Sequence, residues 1–395
     1  MNSAKYQVGF LLEQTLGHRT HTQNLQANVP HDPSIVPYWG LIPWETTGLA
    51  SYVPLYNRNW TVRASLRARR LIADFQQQTT LDALFIHTQV AAILASDWLR
   101  RIPSIVSLDA TPLQYDTLGA HYAHQTHSRW IEKQKRQLYR KCFGHAQRLV
   151  TWSHWAKLGL IEEYAVPAEK ITVIPPGVPV RTWQRATQRP QERDVLKILF
   201  VGGDFQRKGG QLLLDAFRIL RGQNSYQQRI ELHVVTQQQL PPESQVFVYN
   251  NLSPNSPALK ALFHDCDIFA LPTAGDCLPM VLSEAGAAGL PLIATNVGAI
   301  AEIVQPEFSG FLIDVNDRGS LVEKLRYLLD NPSLRQTMGQ NAFALVSDTF
   351  DAEANTMRLL TEIKEVADRQ SWLTRQDGQH SKWQRAAQQP LQNRG

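Results

Sequence analysis

The stretch FALPTAGDCLPMVLSEAGAAGLPLIATNVGAIAEIV, Phe269 to Val304, reads as strand, loop and helix, then strand, loop and helix again. Ile268 to Leu271 is a short apolar run suited to a buried strand, and Pro279 stands where a helix accepts proline, in its first turn. The loop between them carries Asp276. Glu284 follows eight residues later in the helix body, so both carboxylates can face a ligand over the helix N-terminus, the end that favours anions. Ala285, Gly286, Ala287, Ala288 and Gly289 leave little bulk around Glu284, unlike a charged surface helix.

Upstream, KILFVGGDFQRKGGQLLLDAF opens the same unit. Lys197 to Val201 is a strand, Gly202 and Gly203 allow close backbone approach, and a helix starts at Gly209. Arg207 and Lys208 stand in the loop at the strand's C-terminal end, where open α/β sheets bind ligands. The spacing matches neither the Walker A loop nor the G-x-G-x-x-G dinucleotide fingerprint. Two basic side chains solvated in a loop are the plain alternative, and the acidic pair downstream weighs against it.

The two motifs together resemble the nucleotide-sugar-binding half of the family 4 retaining glycosyltransferases, glycosyl transferases group 1. The resemblance is close from Lys170 to Asp314 and looser before it. It implies an α/β fold of two Rossmann-like domains facing an interdomain cleft, the GT-B fold. It also implies a nucleotide-diphosphate sugar as donor substrate, with neither cofactor nor metal. Asp276-x7-Glu284 takes the place of the family's acidic motif, with aspartate where glutamate is usual. Lys208 matches the lysine that holds the diphosphate; the arginine before it falls on Gly203 here, and Arg207 takes over its charge. Lys208, Arg207, Asp276 and Glu284 are thus the implied catalytic groups. Gly202, Gly203, Cys277, Leu278 and Pro279 line the donor in this reading, and Tyr249 to Leu252 lie against the base. Asp265-Cys266-Asp267 suggests a D-x-D metal motif, but nothing nearby supplies more oxygen ligands, and the family has a structural aspartate at Asp267.

In the first half, Tyr6 to Leu12 reads as a strand followed by a loop with Gly17, His18 and His21. By resemblance this loop reaches into the cleft; a turn glycine with solvated histidines is the alternative. Leu81 to His87 and Ile102 to Leu108 are strands that deliver His87 and Asp109 at their C-terminal ends. The family commonly has histidine where Asp109 stands. Asp109 is a candidate to position an acceptor group, with helix capping through Ala110 to Pro112 as the competing role. Thr61 to Gln78 carries Arg63, Arg67 and Arg70 at helical spacing beside Val62, Leu66 and Phe75, an amphipathic surface helix with membrane or acceptor contact as a second reading. VTWSHW, from Val150, resembles the family strand that ends near a serine, here Ser153.

At 395 residues the chain is long enough for two domains, and an apolar share of 43% excludes a disordered or fibrous protein. The expected division is 1–180 for the acceptor-binding domain, 181–194 for a linker and 195–350 for the nucleotide-sugar domain. Residues 351–368 form a helix packing back on the first domain, and a disordered, Gln-rich tail covers 369–395. Cys142, Cys266 and Cys277 form no C-x-x-C pair, which argues for a reducing compartment and against a disulfide framework. The apolar run Val8 to Leu12 is too short for a signal-peptide core or a membrane span. A soluble cytoplasmic protein is expected, at most peripheral to the inner membrane face, with no nucleic-acid partner. Residues 1–180 hold 18 Lys/Arg against 12 Asp/Glu, an excess that suits a phosphorylated acceptor or an anionic membrane, or an ordinary solvated surface.

Three functions fit these motifs. A retaining glycosyltransferase acting on a glycan, lipid-linked or small-molecule acceptor is the first. The resemblance implies that the acceptor enters on the leaving-group side, with the diphosphate helping to remove its proton. A nucleotide-sugar epimerase of the same fold is the second, and the phosphate loop with the x7 spacing fits it less well. A non-catalytic sugar-nucleotide-binding protein is the third, encouraged by the departures at Gly203, Asp109 and Asp276.

Overall fold

Short apolar runs such as Leu84–Ile86 and Phe269–Leu271 are fully buried, as parallel strands covered by helices on both faces require. A computed structural model describes residues 5–15, 17–45, 59–118, 129–186, 194–223, 226 and 229–387, with side chains to 369. Its strands pair in parallel as two six-stranded sheets. The first contains β1 (Tyr6–Glu13), β2 (Ile35–Ile42), β3 (Ala83–His87), β4 (Ser104–Leu108), β5 (Arg148–Thr151) and β6 (Ile171–Val173), in the order β2-β1-β3-β4-β5-β6. The second contains β7 (Leu196–Val201), β8 (Ile230–Val235), β9 (Val246–Tyr249), β10 (Ile268–Leu271), β11 (Leu292–Thr295) and β12 (Gly310–Ile313), in the order β12-β11-β10-β7-β8-β9.

Strand order reverses between β1 and β3 in the first sheet and between β7 and β10 in the second. The two connections leaving such a pair of strands diverge to opposite faces and open a crevice beyond the carboxyl ends, where ligands of this architecture sit. Leu12 pairs with His87 across one switch point, and Leu199 pairs with Phe269 across the other. Topology therefore brings the β1 loop beside His87, and the Gly202–Gly209 loop beside the Pro272–Pro279 loop.

The helices that bear on these crevices are α1 (His18–Asn28), α2 (Trp60–Gln78), α3 (Pro112–Thr117), α4 (Arg129–His145), α5 (His154–Tyr164), α6 (Gly210–Arg221), α7 (Pro257–Asp265), α8 (Met280–Ala287) and α9 (Ala352–Ala387). On α2 the structure corrects the reading of its faces. Arg63 is only 4% exposed and Leu66 is 44% exposed, because the buried stripe is Ala64, Ala68, Ile72 and Phe75 and the Arg63 guanidinium lies against Trp44 and Trp60. Small residues carried that stripe, while the larger Val62 and Leu66 dominated the apolar pattern.

Leu359, Leu360, Ile363 and Val366 of α9 bury against Val8, Phe10 and Phe85 of the first sheet, and Lys364 donates to Asp32 at 2.7 Å. The helix continues to Ala387 instead of ending near residue 368, so the disordered tail expected from Arg369 is helical backbone up to that point. Between Arg369 and Ala387 the only helix breaker is Gly378, and the first proline is Pro390. Within the expected linker, 181–194, Trp183 is fully buried edge-on against Phe263, while residues 187–193 lie outside the described part.

Two glycines fix the second crevice. Gly209 has φ +79°, and a Cβ there would stand 1.9 Å from the Pro272 carbonyl oxygen. Gly298 has φ +57°, with a Cβ 2.2 Å from the carbonyl oxygen of Asp276. Gly209→Ala is expected to lower the unfolding free energy by roughly 3 kcal/mol or more, read by chemical denaturation, since backbone must give way.

Candidate active site

On the second domain, the β7 and β10 loops lock together through Arg207. Its carbonyl oxygen accepts from Ala274 N at 2.8 Å, and its guanidinium donates to the Gly275 carbonyl at 2.8 Å and to Asp204 at 3.2 Å. Lys208 Nζ donates to Asp276 Oδ1 at 2.6 Å, with Arg207 Nη1 3.5 Å from the same oxygen. Asp276 Oδ2 is buried without a partner. Three of the four sequence-singled groups thus meet across the β7/β10 switch point. Gly202 packs against the Lys208 stem, whereas a Cβ on Gly203 would meet nothing within 4 Å, so that position faces open space.

Pro279 caps α8, and Glu284 sits one turn in, 6% exposed. Cys277 and Leu278 are buried in the loop ahead of it. Tyr249 ends β9, two strands from the switch point, where its hydroxyl meets His233 Nδ1 at 3.0 Å; Leu252 packs on the second-domain core. Neither is joined to the Lys208 cluster by that geometry. Asp265 and Asp267 both accept from Lys197, at 2.6 and 2.9 Å, pinning the α7–β10 turn to β7.

On the first domain, Gly17 precedes α1 and His18 begins it, with His18 Nδ1 2.8 Å from His87 Nε2. His18 and His21 are buried, not solvated. Trp152 stacks on His87 with centroids 4.8 Å apart at 10° and also touches both other imidazoles. Sequence reasoning stopped one residue away, at Ser153, which caps α5 by accepting from Ala156 N. Asp109 does not cap α3. Thr111 does, in a capping box with Gln114, which leaves the Asp109 carboxylate to accept from Tyr115 Oη at 2.6 Å. Among the described residues, no group of three or more His, Cys, Asp or Glu side chains is arranged to hold a metal ion.

The two domains meet at Glu302, whose carboxylate accepts from His154 N and Trp155 N, each at 2.9 Å. An acid of the second domain thereby satisfies the exposed N–H groups that open α5 of the first.

The family model for glycosyl transferases group 1 matches residues 182–344, and that for glycosyltransferase family 4 matches residues 27–182. The chain belongs to the family 4 glycosyltransferases. A D-inositol 3-phosphate glycosyltransferase of Pseudarthrobacter chlorophenolicus is 26% identical over 226 residues, 50% of this chain and 51% of that one. The chain thus spans about half the length of the first such curated relatives it matches. Among solved structures, a sucrose-phosphate synthase of Thermosynechococcus elongatus superposes with TM-score 0.72 at 13% identity, covering 92% of this chain and 99% of the other. HepE of Anabaena, solved with UDP and glucose, superposes with TM-score 0.65 at 14% identity, covering 90% and 99%. At such identities the likeness establishes the fold, two Rossmann-like domains in the GT-B arrangement.

The electrostatics of this family 4 member divide the cleft. Burial pushes the Glu284 carboxyl up to about 7, offset in part by the Lys260 charge. Burial also lowers His21 to about 3 and takes His87 well below its ordinary value, with the neighbouring His18 acting in the same direction on both. These two imidazoles are neutral at physiological pH. Burial raises Asp109, against the pull of His18 and Tyr115. Cys277 is raised chiefly by burial and then by the Asp109 and Asp276 charges, so the first-domain carboxylate faces the second-domain loop. No helix among the described residues is long and apolar enough to cross a membrane.

Proposed function

We propose that the protein transfers a sugar from a nucleotide-diphosphate sugar to a hydroxylated acceptor with retention of anomeric configuration. The single observation that carries this reading is the lysine at the β7/β10 switch point, paired with Asp276, the first carboxylate of the x7 motif, whose second carboxylate, Glu284, is buried in the helix that follows. Breaking the anomeric C–O bond concentrates charge on the departing diphosphate, and Lys208 is the cation best situated to meet it. Asp276 Oδ2 is open to accept from a donor-sugar hydroxyl, and Glu284 from the ribose hydroxyls. The His18, His87 and Asp109 side faces the acceptor, and the diphosphate takes the acceptor's proton. A uridine nucleotide is the first donor class to test, because HepE, of the same fold, was solved with UDP.

The test is to incubate the enzyme with the donor it binds and follow the first-formed sugar by NMR. Release of nucleoside diphosphate with the donor's own anomer supports retention. The opposite anomer refutes it, and isomerisation of the intact nucleotide sugar would favour an epimerase.

Gly203 supplies a second check. The site has room for a side chain where family members carry arginine, so Gly203→Arg is expected to tighten donor binding roughly tenfold by calorimetry, through a charged hydrogen bond to the diphosphate.

Peripheral contact with an anionic membrane belongs to the same proposal. Helix α4 carries six Lys/Arg against Glu132 alone and exposes Trp130, Ile131 and Leu138.

A further inference from the structure

Beyond the carboxyl end of β2, Pro43, Trp44 and Glu45 form a turn on the same rim of the first sheet where β1 delivers His18 and β3 delivers His87. Trp44 is 50% exposed. It is nevertheless held firmly. Its ring lies 4.7 Å from that of Trp60, centroid to centroid, at 46°. The Arg63 guanidinium stands 5.3 Å from the Trp44 ring centre and 5.1 Å from that of Trp60, filling the space beside both.

The turn's backbone is clasped as well. Arg67 donates to the Pro43 carbonyl and, at 2.8 Å, to the Glu45 carbonyl. Arg19, the residue after His18, donates to Glu45 Oε1 at 3.0 Å and to the Gln14 carbonyl at 2.9 Å. One arginine thus joins the indole turn to the histidine that opens the cleft.

We propose that Trp44, backed by Trp60 and Arg63, is a stacking subsite for a pyranose ring of the acceptor; this rests on the glycosyltransferase reading above. A large indole exposed at a cleft rim and fixed from behind offers a flat apolar face without further ordering cost. The C–H face of a pyranose is its natural complement, and the ring's equatorial hydroxyls need polar groups around that face. Arg19 and Glu45 supply them, with side chains 55% and 61% exposed. An acyl chain would be met there by charges, so the surroundings favour a saccharide over a lipid tail. The subsite lies on the acceptor's side of the cleft, away from the Lys208 cluster, and extends recognition beyond the sugar that reacts.

The experiment is saturation-transfer NMR with the full chain and a panel of methyl glycosides of glucose, galactose, mannose and N-acetylglucosamine, together with maltose and lactose. Wild type, Trp44→Ala and Trp44→Phe are compared. Thermal shifts with nucleotide sugars and sedimentation with phosphatidylglycerol vesicles run in parallel. Wild type is expected to transfer saturation to the ring C–H protons of at least one saccharide. Trp44→Ala should weaken that binding about tenfold, Trp44→Phe should keep most of it, and the nucleotide-sugar shift should be unchanged in both. The proposal is overturned if no saccharide binds wild type, or if Trp44→Ala binds it equally well. It is also overturned if the substitution removes vesicle binding while leaving saccharide binding intact. Saccharide binding that depends on Trp44, in a protein that binds no nucleotide sugar, would uphold the subsite and refute the donor assignment.

Discussion

Lys208→Met is expected to lower turnover by about two to three orders of magnitude while changing donor affinity far less. Without donor, Lys208 is already neutralised by Asp276 at 2.6 Å, so the gain on binding a diphosphate is partly offset by loosening that pair. The gain on bond breaking is not offset, because the leaving group's charge grows only then. Losing Lys208 also leaves Asp276 buried with Arg207, 3.5 Å away, as the remaining cation, and some stability should be lost. The double variant Lys208→Met/Asp276→Asn separates the two effects. It should recover stability and remain slow, as measured by denaturation and by release of nucleoside diphosphate. Wild-type turnover in Lys208→Met would refute the leaving-group role.

Glu284→Gln is expected to make the unliganded protein more stable at pH 8 and to weaken donor binding roughly 10- to 100-fold. In the unfolded chain this carboxyl ionises near 4.5, and in the folded protein near 7. Between those values the folded state keeps a proton that the unfolded state has lost. Stability therefore falls as pH rises through that window, by about 3 kcal/mol in full, and levels off above pH 7. The glutamine variant lacks this loss, so the two proteins should have similar stability near pH 4.5 and diverge toward pH 8. A buried carboxylate held at a stability cost is a candidate for a group kept for a ligand. Donor affinity of wild type should correspondingly decline as pH drops below 7, where Glu284 protonates and stops accepting from both hydroxyl groups. Parallel stability curves for wild type and variant would contradict this assignment.

Much of the second domain was legible because its signals are local. The strand–loop–helix order of Phe269–Val304 follows from short apolar runs and from proline and glycine at its turns, and the observed elements follow the same order. Asp276 and Lys208 were readable as loop residues at strand ends; their meeting depends on β7 lying beside β10, which strand order decides. In the first domain, His87 and Asp109 were found by the same strand-end argument.

What escaped was set by distant contacts. Trp152 gathers three imidazoles contributed by α1 and β3, and nothing in VTWSHW announces it. Glu302 reaches across to α5 from a segment that reads only as a short helix. Arg63 has helical spacing with Arg67 and Arg70 and was grouped with them, although its guanidinium lies against Trp60 of its own helix and Trp44 beyond β2, and it is buried. Thr111, not Asp109, caps α3, and the signal was in the sequence: Thr111 and Gln114 stand at capping-box spacing with Pro112 at the first helical position.

In the proposed reading a nucleotide sugar occupies the β7/β10 crevice with Glu284 as one of its anchors. Thermal unfolding of wild type and Glu284→Gln with UDP-, GDP- and ADP-sugars tests it most directly. Wild type should be stabilised by one nucleotide class, by about 2.7 kcal/mol at a hundredfold excess over Kd, and Glu284→Gln should lose about half of that gain or more. No stabilisation by any donor, or an equal gain in the variant, would contradict it.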